Sequence, residues 1–274
     1  MLRRIFLVSC LLVGLTGQVQ AQGLDSAVWD SLLKKHVQVL RDGQASVVDY
    51  AGFLADHSTL QSYLVSTSKV TRPEFDRWSN PQQLAFLINA YNAWTVELVL
   101  TGYPGIKSIK DLGSFIQSPW KKRFIPLLGE SRSLDDIEHG LIRGSGRYND
   151  PRIHFAVNCA SVGCPALRAE AYVADRLNVQ LEDSTQKFLS DRTRNWIESG
   201  VLKVSSIFKW YGSDFEKGWR GANALGQFLA LYSGALGLDV DTASQLSSGK
   251  RGIEFLDYDW RLNGTGGSAK DGKP

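Results

Sequence analysis

Residues 80–101, NPQQLAFLINAYNAWTVELVLT, form the strongest helical pattern in the chain. Asn80 as the cap and Pro81 in the first turn predict where this helix begins, and Gly102 and Pro104 predict where it ends. Apolar side chains cover nearly all of its circumference. We therefore expect a central, buried helix rather than a helix that lies on the surface.

Two carboxamides interrupt this apolar surface. Asn89 and Asn92 are three residues apart and therefore lie on one side of the helix. Because buried amides need hydrogen-bond partners, both side chains must be satisfied inside the fold. We expect them either to hold the carbonyl groups of neighbouring loops or to take part in substrate binding.

The rest of the chain mixes helical and extended patterns without the regular alternation of a doubly wound sheet. Helices are predicted at 26–40, 60–65, 133–143, 171–189 and 222–231. Strands are predicted at 47–50, 153–158, 201–208 and 253–260, together with a hairpin around Gly129 and Glu130. The sequence therefore predicts an α+β fold, in the form of a single mixed domain with a central buried helix and a small sheet.

The N-terminus has the pattern of a secretory signal peptide. Arg3 and Arg4 precede an apolar run, and Ala21 ends a segment typical of signal-peptidase cleavage. The predicted organisation is a signal peptide at 1–21, a globular domain at 22–262 and a disordered tail at 263–274. A lipobox-like segment that ends at Cys10 gives a competing interpretation, in which an acylated cysteine tethers the chain to a membrane.

Charge and hydropathy narrow the classes of partner. The chain has 31 Lys and Arg against 28 Asp and Glu, and two of the arginines lie in the predicted signal peptide. A nearly neutral mature chain gives no electrostatic reason to expect binding to nucleic acid. The N-terminal apolar run is about half of the roughly 20 residues that span a membrane. We expect a periplasmic or secreted protein, without stable membrane insertion, that binds an unknown peptide or small molecule.

The segment DPRIHFAVNCASVGCP at 150–165 contains Cys159 and Cys164, the two cysteines of the predicted mature chain. In an exported protein, this pair is predicted to form a disulfide that closes a small loop. A free or reversibly oxidised thiol is a second interpretation. A metal site is a third, although its spacing differs from that of common zinc sites. Because we expect the disulfide, we expect neither a bound metal ion nor another cofactor.

A nucleophilic Cys159 would need a base, because few thiols with a pKa of about 8.5 are ionised at neutral pH. All four histidines of the chain precede Cys159, so the base must come from upstream. If the predicted strand at 153–158 continues, His154 and Cys159 lie on opposite faces. This parity favours His139 as the catalytic base, held on the predicted helix at 133–143.

Other residues around this site are assigned from their chemistry. Asn158 is the expected catalytic donor to an oxyanion. Trp210 and Tyr211 lie in a segment of aromatic and charged residues typical of a substrate groove. Asp257 and Asp259 project from one face of a predicted strand, which allows a glycosidase as a further interpretation.

Six motifs resemble the uncharacterised domain-of-unknown-function family numbered 547. They follow the expected order over nearly the whole predicted mature chain: VDYAGF at 48–53, FLINAYNAW at 86–94, DIEHGLIR at 136–143, DPRIHFAVNCASVGCP at 150–165, SSIFKWYGSDF at 205–215 and FLDYDWRLN at 255–263. The resemblance implies a single domain in an exported or membrane-associated bacterial setting. It implies no reaction and no catalytic residues, so the roles of Cys159 and His139 are inferred from their chemistry alone.

Two functions from different classes follow from these patterns. The first is a thiol-dependent hydrolase or acyl transferase that acts on a peptide or amide. The second is a non-catalytic periplasmic binding or scaffold domain that a Cys159–Cys164 disulfide staples together. The state of the two sulfur atoms in the folded protein separates these expectations.

Overall fold

The computed structural model describes residues 23–114 and 116–265. The predicted signal peptide at 1–21, which contains Cys10, lies outside these residues. Residues 266–274 of the predicted tail also lie outside them. The predicted tail begins at Asn263, yet this residue is only 3% exposed and accepts a hydrogen bond from the Tyr50 hydroxyl at 2.7 Å. The packed domain therefore extends beyond the predicted boundary at 262.

Helices make up most of the described chain. The α-helices are α1 Ala27–His36, α2 Tyr50–Ala55, α3 His57–Lys69, α4 Arg72–Phe75, α5 Asn80–Leu100, α6 Leu177–Ser190, α7 Ile207–Trp210, α8 Gly212–Phe215, α9 Leu225–Leu231, α10 Ser233–Leu236 and α11 Val240–Ser247. Short 3-10 helices span Arg41–Gly43, Ile109–Leu112, Pro119–Lys121, Pro151–Phe155 and Ala174–Arg176. One wider, π-helical segment spans Asp136–Arg143.

The strands are short and form small separate sheets. They are β1 Val37–Leu40, β2 Ala45–Val48, β3 Ile125–Leu127, β4 Glu130–Arg132, β5 Trp196–Glu198, β6 Val201–Val204 and β7 Ile253–Phe255. β1 pairs with β2 and β3 pairs with β4, both antiparallel. β6 pairs antiparallel with β5 and parallel with β7. The many helices with small sheets confirm the predicted α+β class.

Helix α5 is the central element. Every residue from Gln83 to Val96 is buried, as its apolar circumference predicts. The N-cap is Ser79, one residue before the predicted cap Asn80, because Ser79 and Gln82 form a capping box. Among residues 23–114 and 116–265, no helix combines the length and apolar character needed to cross a bilayer.

One predicted strand is wrong, and the other three, 47–50, 201–208 and 253–260, extend past the ends of β2, β6 and β7. The segment predicted as a strand at 153–158 is the 3-10 helix Pro151–Phe155, because Asp150 caps it by accepting the Arg152 N–H at 3.0 Å and Pro151 supplies the first helical φ. This start signal outweighs the alternating apolar pattern that follows it. The last predicted strand, 253–260, pairs only over β7.

The side chains pack into two hydrophobic clusters. The larger one surrounds α5 and includes Ile153, and the smaller one includes Phe155 together with rings from α6 to α9. The 3-10 helix Pro151–Phe155 therefore touches both clusters. His154 lies between the two anchoring side chains and is 2% exposed.

Candidate active site

The disulfide that the spacing of Cys159 and Cys164 predicts is present. It closes a loop across Cα atoms 6.2 Å apart. Cys164 is 2% exposed, whereas Cys159 is only partly buried and lines a pocket. The two sulfur atoms therefore differ in their access to solvent and to ligands.

Hydrogen-bond donors surround the buried sulfur. The backbone N–H groups of Cys159 and Ser161 donate to Cys164 Sγ at 3.0 and 3.4 Å. The Tyr258 hydroxyl lies 3.1 Å from Cys159 Sγ and 3.2 Å from Cys164 Sγ. Because a disulfide sulfur carries no proton, the phenol is the donor in both contacts. These donors would stabilise negative charge on Cys164 if the bond between the sulfurs opened.

Asn158 and Asn92 fix the backbone that leads into the loop. Asn92 donates to the Ala156 carbonyl at 2.9 Å and accepts the Asn158 N–H at 2.8 Å. The Asn158 carboxamide donates to the Pro165 carbonyl at 2.8 Å and accepts the Ala160 N–H at 2.9 Å. Thus the predicted oxyanion donor, Asn158, uses its amide to hold both ends of the loop.

Asn89 makes the same kind of contact at another loop. Its side chain donates to the Tyr172 carbonyl at 2.8 Å and accepts the Tyr172 N–H at 2.9 Å. Of the two expectations for the α5 amides, the geometry favours attachment of loops to the central helix.

The pocket beside Cys159 has a volume of about 160 Å³. It is lined by aromatic rings, two histidines and two acids, together with small groups from the disulfide loop: Tyr91, Ser118, Trp120, Asp135, Glu138, His139, His154, Val157, Cys159, Pro165, Ile207, Trp210, Tyr211, Tyr258 and Trp260. The sequence-predicted residues Cys159, His139, Trp210 and Tyr211 therefore meet at one place.

His154 has the features of a general base. Its Nε2 lies 2.8 Å from Asp214 Oδ2, and its ring stacks on Tyr211 with centroids 4.0 Å apart. Nδ1 is buried and has no hydrogen-bond partner among the residues that the structure describes. Burial lowers the pKa of His154, which favours the neutral imidazole. Since a carboxylate only accepts, Nε2 carries the proton and Nδ1 keeps its lone pair.

Asp214 is held ionised by its neighbours. Burial opposes ionisation, but hydrogen bonds from His154, Arg143 and Lys217 outweigh it and keep the pKa of Asp214 far below its usual range. The Arg143 Nε donates to Oδ2, and Lys217 Nζ donates to Oδ1 at 2.7 Å. Asp214 is thus a fixed anion that orients the His154 ring.

His139 is less suited to the predicted role. Arg143 Nη1 lies 2.6 Å from His139 Nδ1, and because a guanidinium only donates, this nitrogen is the acceptor. In a neutral ring Nε2 then carries the proton, 3.7 Å from Asp135 Oδ1. The preference for His139 over His154 depended on a strand that is a 3-10 helix in the structure, so the parity argument does not hold.

A cluster of aromatic rings lines the same pocket as the histidines. The Trp210 and Trp260 rings stack at 5.6 Å, and Tyr258 lies 4.8 Å from Trp210 and 4.5 Å from Trp260. Trp120 meets Trp260 edge to face at 5.6 Å. This cluster brings together rings from segments far apart in sequence.

Asp214, Tyr258 and Glu138 are site residues that the sequence did not identify. Asp214 and Tyr258 do lie in the two segments of mixed acids and aromatics, 205–215 and 254–260, and that composition was the available signal. Their contacts with His154 and with the sulfurs depend on the tertiary fold. Among residues 23–114 and 116–265, no group of three or more His, Cys, Asp or Glu side chains is arranged to hold a metal ion.

Comparisons with known proteins give a family but no activity. No curated protein and no solved structure matches the chain. A family model described as a protein of unknown function, DUF547, matches residues 75–189, which include α5, the π-helical segment and the disulfide loop. Over residues 75–189 the chain is therefore similar to the DUF547 family, in agreement with the motifs that carry the resemblance.

Proposed function

We propose that the protein is an exported, thiol-dependent hydrolase or acyl transferase that acts on a peptide or amide once the Cys159–Cys164 disulfide is reduced. The observation that carries this proposal is the His154–Asp214 pair, whose unpartnered Nδ1 belongs to a ring that lines the same pocket as Cys159. A cysteine, a neutral histidine and an orienting carboxylate form the arrangement that activates a thiol.

Reduction would start at the accessible sulfur. An external thiolate attacks Cys159 Sγ, the bond between the two sulfurs breaks, and Cys164 leaves as a thiolate. The N–H groups of Cys159 and Ser161 support this leaving group. A second external thiol then releases Cys159 as a free thiol and forms the external disulfide.

Acyl transfer would follow from the free thiol. His154 Nδ1 takes the proton of Cys159 as Sγ attacks the carbonyl carbon, and the same nitrogen returns the proton to the departing amine. The resulting thioester is resolved by water or by another nucleophile, which gives hydrolysis or transfer respectively.

The test is the acylation of Cys159 in the reduced Cys164→Ser protein by p-nitrophenyl acetate, followed by intact-protein mass. We expect His154→Gln to slow acylation by roughly a hundredfold, the size of a general-base contribution. His139→Gln serves as the matched control and should change the rate less than about threefold, because its Nδ1 is occupied by Arg143. Equal rates for the two histidine variants would refute the proposal.

A specific observation also favours the second candidate, a binding domain stapled by the disulfide. Both sulfurs are joined in the folded protein, and the Arg194 guanidinium holds the loop by donating to the Cys164 and Val162 carbonyls at 2.6 and 2.7 Å. A protein that retains the disulfide in the presence of millimolar glutathione, and that unfolds when it is forced open, would support this candidate over the enzyme.

A further inference from the structure

Glu138 is a buried acid that the proposed acyl transfer does not use. It lies on the π-helical segment, lines the pocket and is 4% exposed. Its Oε1 has no hydrogen-bond partner within the described part of the chain. Because a buried oxygen without a hydrogen-bond partner is costly, such an oxygen on a residue that lines a pocket indicates a place for a ligand.

The protein groups that contact Glu138 are neutral. Burial raises the pKa of the Tyr91 and Tyr211 phenols, and the nearby Glu138 carboxyl group raises it further. Both tyrosines therefore stay protonated and neutral.

Asp135 adds a second acid to the lining of this pocket. It precedes Glu138 by three residues, about one helical turn, and lines the pocket. Its side chain is 27% exposed and lies near His139. The pocket therefore presents one buried and one partly exposed carboxyl group.

The aromatic lining of the pocket is suited to a cation. Trp120, Trp210, Trp260 and Tyr258 supply rings, and the faces of such rings attract cations through their quadrupoles. The protein already uses one of them in this way, since Lys110 Nζ lies 3.7 Å from the Trp260 centroid. An ammonium group in this pocket would have both an aromatic lining and the Glu138 carboxyl group available to it.

We propose that the pocket binds a primary ammonium group on a short alkyl chain, of the kind carried by a lysine side chain. Its volume of about 160 Å³ is close to that of a cavity of about 150 Å³ that accommodates one benzene ring, so it fits one side chain rather than a large molecule. As a statement about substrate, this inference rests on the proposed function and names a peptide with a lysine beside the reacting carbonyl. As a statement about binding, it can be tested without turnover.

The experiment titrates the oxidised protein with pentylammonium, 1-pentanol and pentanoate, which share one alkyl chain and differ in charge. Tryptophan emission reports binding, because three tryptophans line the pocket, and calorimetry gives a second readout. We expect pentylammonium to bind at least about tenfold more tightly than pentanol, since a tenfold ratio corresponds to about 1.4 kcal/mol. Pentanoate should bind more weakly than either.

Variants assign the preference to the acid. Glu138→Gln keeps the shape of the side chain and should reduce the ammonium preference to less than about threefold. Glu130→Gln makes the same charge change on strand β4 and should preserve the preference. If Glu138→Gln does not fold, Asp135→Asn and the ranking of the three probes on the wild type still decide the matter.

Equal binding of pentanol and pentylammonium, tighter binding of pentanoate, or no saturable signal from any probe would overturn the inference. These outcomes leave the acylation test unaffected, because p-nitrophenyl acetate carries no ammonium group. Failure of acylation with an intact ammonium preference would refute the enzyme and keep the binding site.

Discussion

The His154 imidazole lies 2.8 Å from the Asp214 carboxylate, although the two residues are 60 positions apart in sequence. The first belongs to a 3-10 helix and the second to α8. Their contact sets which imidazole nitrogen carries the proton and which one keeps its lone pair.

This pair predicts an acid-sensitive fold. Burial lowers the pKa of His154, so between its ordinary value of about 6.5 and its lower folded value the unfolded chain binds a proton that the folded chain does not. Stability should therefore fall as pH decreases below about 6.5. Urea unfolding at pH 7.5 and pH 5.5 measures the change.

Two histidine variants isolate the source of this pH dependence. His154→Gln should flatten the dependence in that interval, whereas His57→Gln, whose side chain is 40% exposed, should leave it intact. A wild-type protein that is equally stable at both pH values would contradict the assignment of a buried neutral imidazole. Asp214 adds a similar loss at lower pH, because its folded pKa is also depressed.

The disulfide should react asymmetrically. Because Cys159 lines the pocket and Cys164 is 2% exposed, a thiol will attack Cys159 and expel Cys164. We expect native Cys164→Ser to form a stable mixed disulfide with glutathione disulfide. Native Cys159→Ser should label at least about tenfold more slowly, because its remaining thiol is buried. Intact-protein mass after timed quenching follows both variants, and similar rates would show that access does not control the reaction.

Any side chain at position 163 should destabilise the folded protein. A Cβ at this position would lie 3.0 Å from three carbon atoms of the Tyr258 ring, which the sulfurs hold in place. Gly163→Ala is expected to destabilise the protein by about 1–3 kcal/mol through overpacking. Gly234→Ala, where a Cβ meets open space in a helix, should be neutral or stabilising. Thermal unfolding compares the two variants, and a neutral Gly163→Ala would mean that Tyr258 is free to move.

Substitutions at Asn92 distinguish a role in holding the loop from a role in substrate binding. Asn92→Ala leaves the Ala156 carbonyl and the Asn158 N–H without their partner, and should cost about 2–4 kcal/mol. Asn92→Asp retains the acceptor but places a buried carboxyl group against the Ala156 carbonyl, so it should also be destabilising. A fully stable Asn92→Ala protein with impaired ligand binding would instead favour the substrate-binding expectation.

The sequence predicted the parts of the fold that depend on local patterns. The apolar circumference of α5, the β3–β4 hairpin and the Ser133–Asp136 start of the π-helical segment are all present, the last with reciprocal hydrogen bonds of 2.9 and 3.0 Å. The disulfide also follows from local spacing and compartment. These features need little information from distant residues.

The choice between His139 and His154 as the candidate base could not be made from local sequence patterns. The alternating residues of 153–158 are typical of a strand, but burial on all sides by two hydrophobic clusters produces the same apolar composition in a 3-10 helix. A strand at 153–158 places His154 and Cys159 on opposite faces, whereas the 3-10 helix does not follow this alternation. The contacts of Asp214 and Tyr258 span 60 and 99 positions, so no local spacing could reveal them.

The 3-10 helix Pro151–Phe155 joins the two hydrophobic clusters through Ile153 and Phe155. The acids of the pocket lie on a segment anchored in the larger cluster, whereas Asp214 precedes Phe215 of the smaller one. Unfolding of the larger cluster would therefore separate the His154 imidazole from the acids of the pocket. Unfolding of the smaller cluster would separate it from Asp214. Disruption of the pocket by heat or denaturant should accompany the first cooperative step of unfolding, whichever cluster unfolds first.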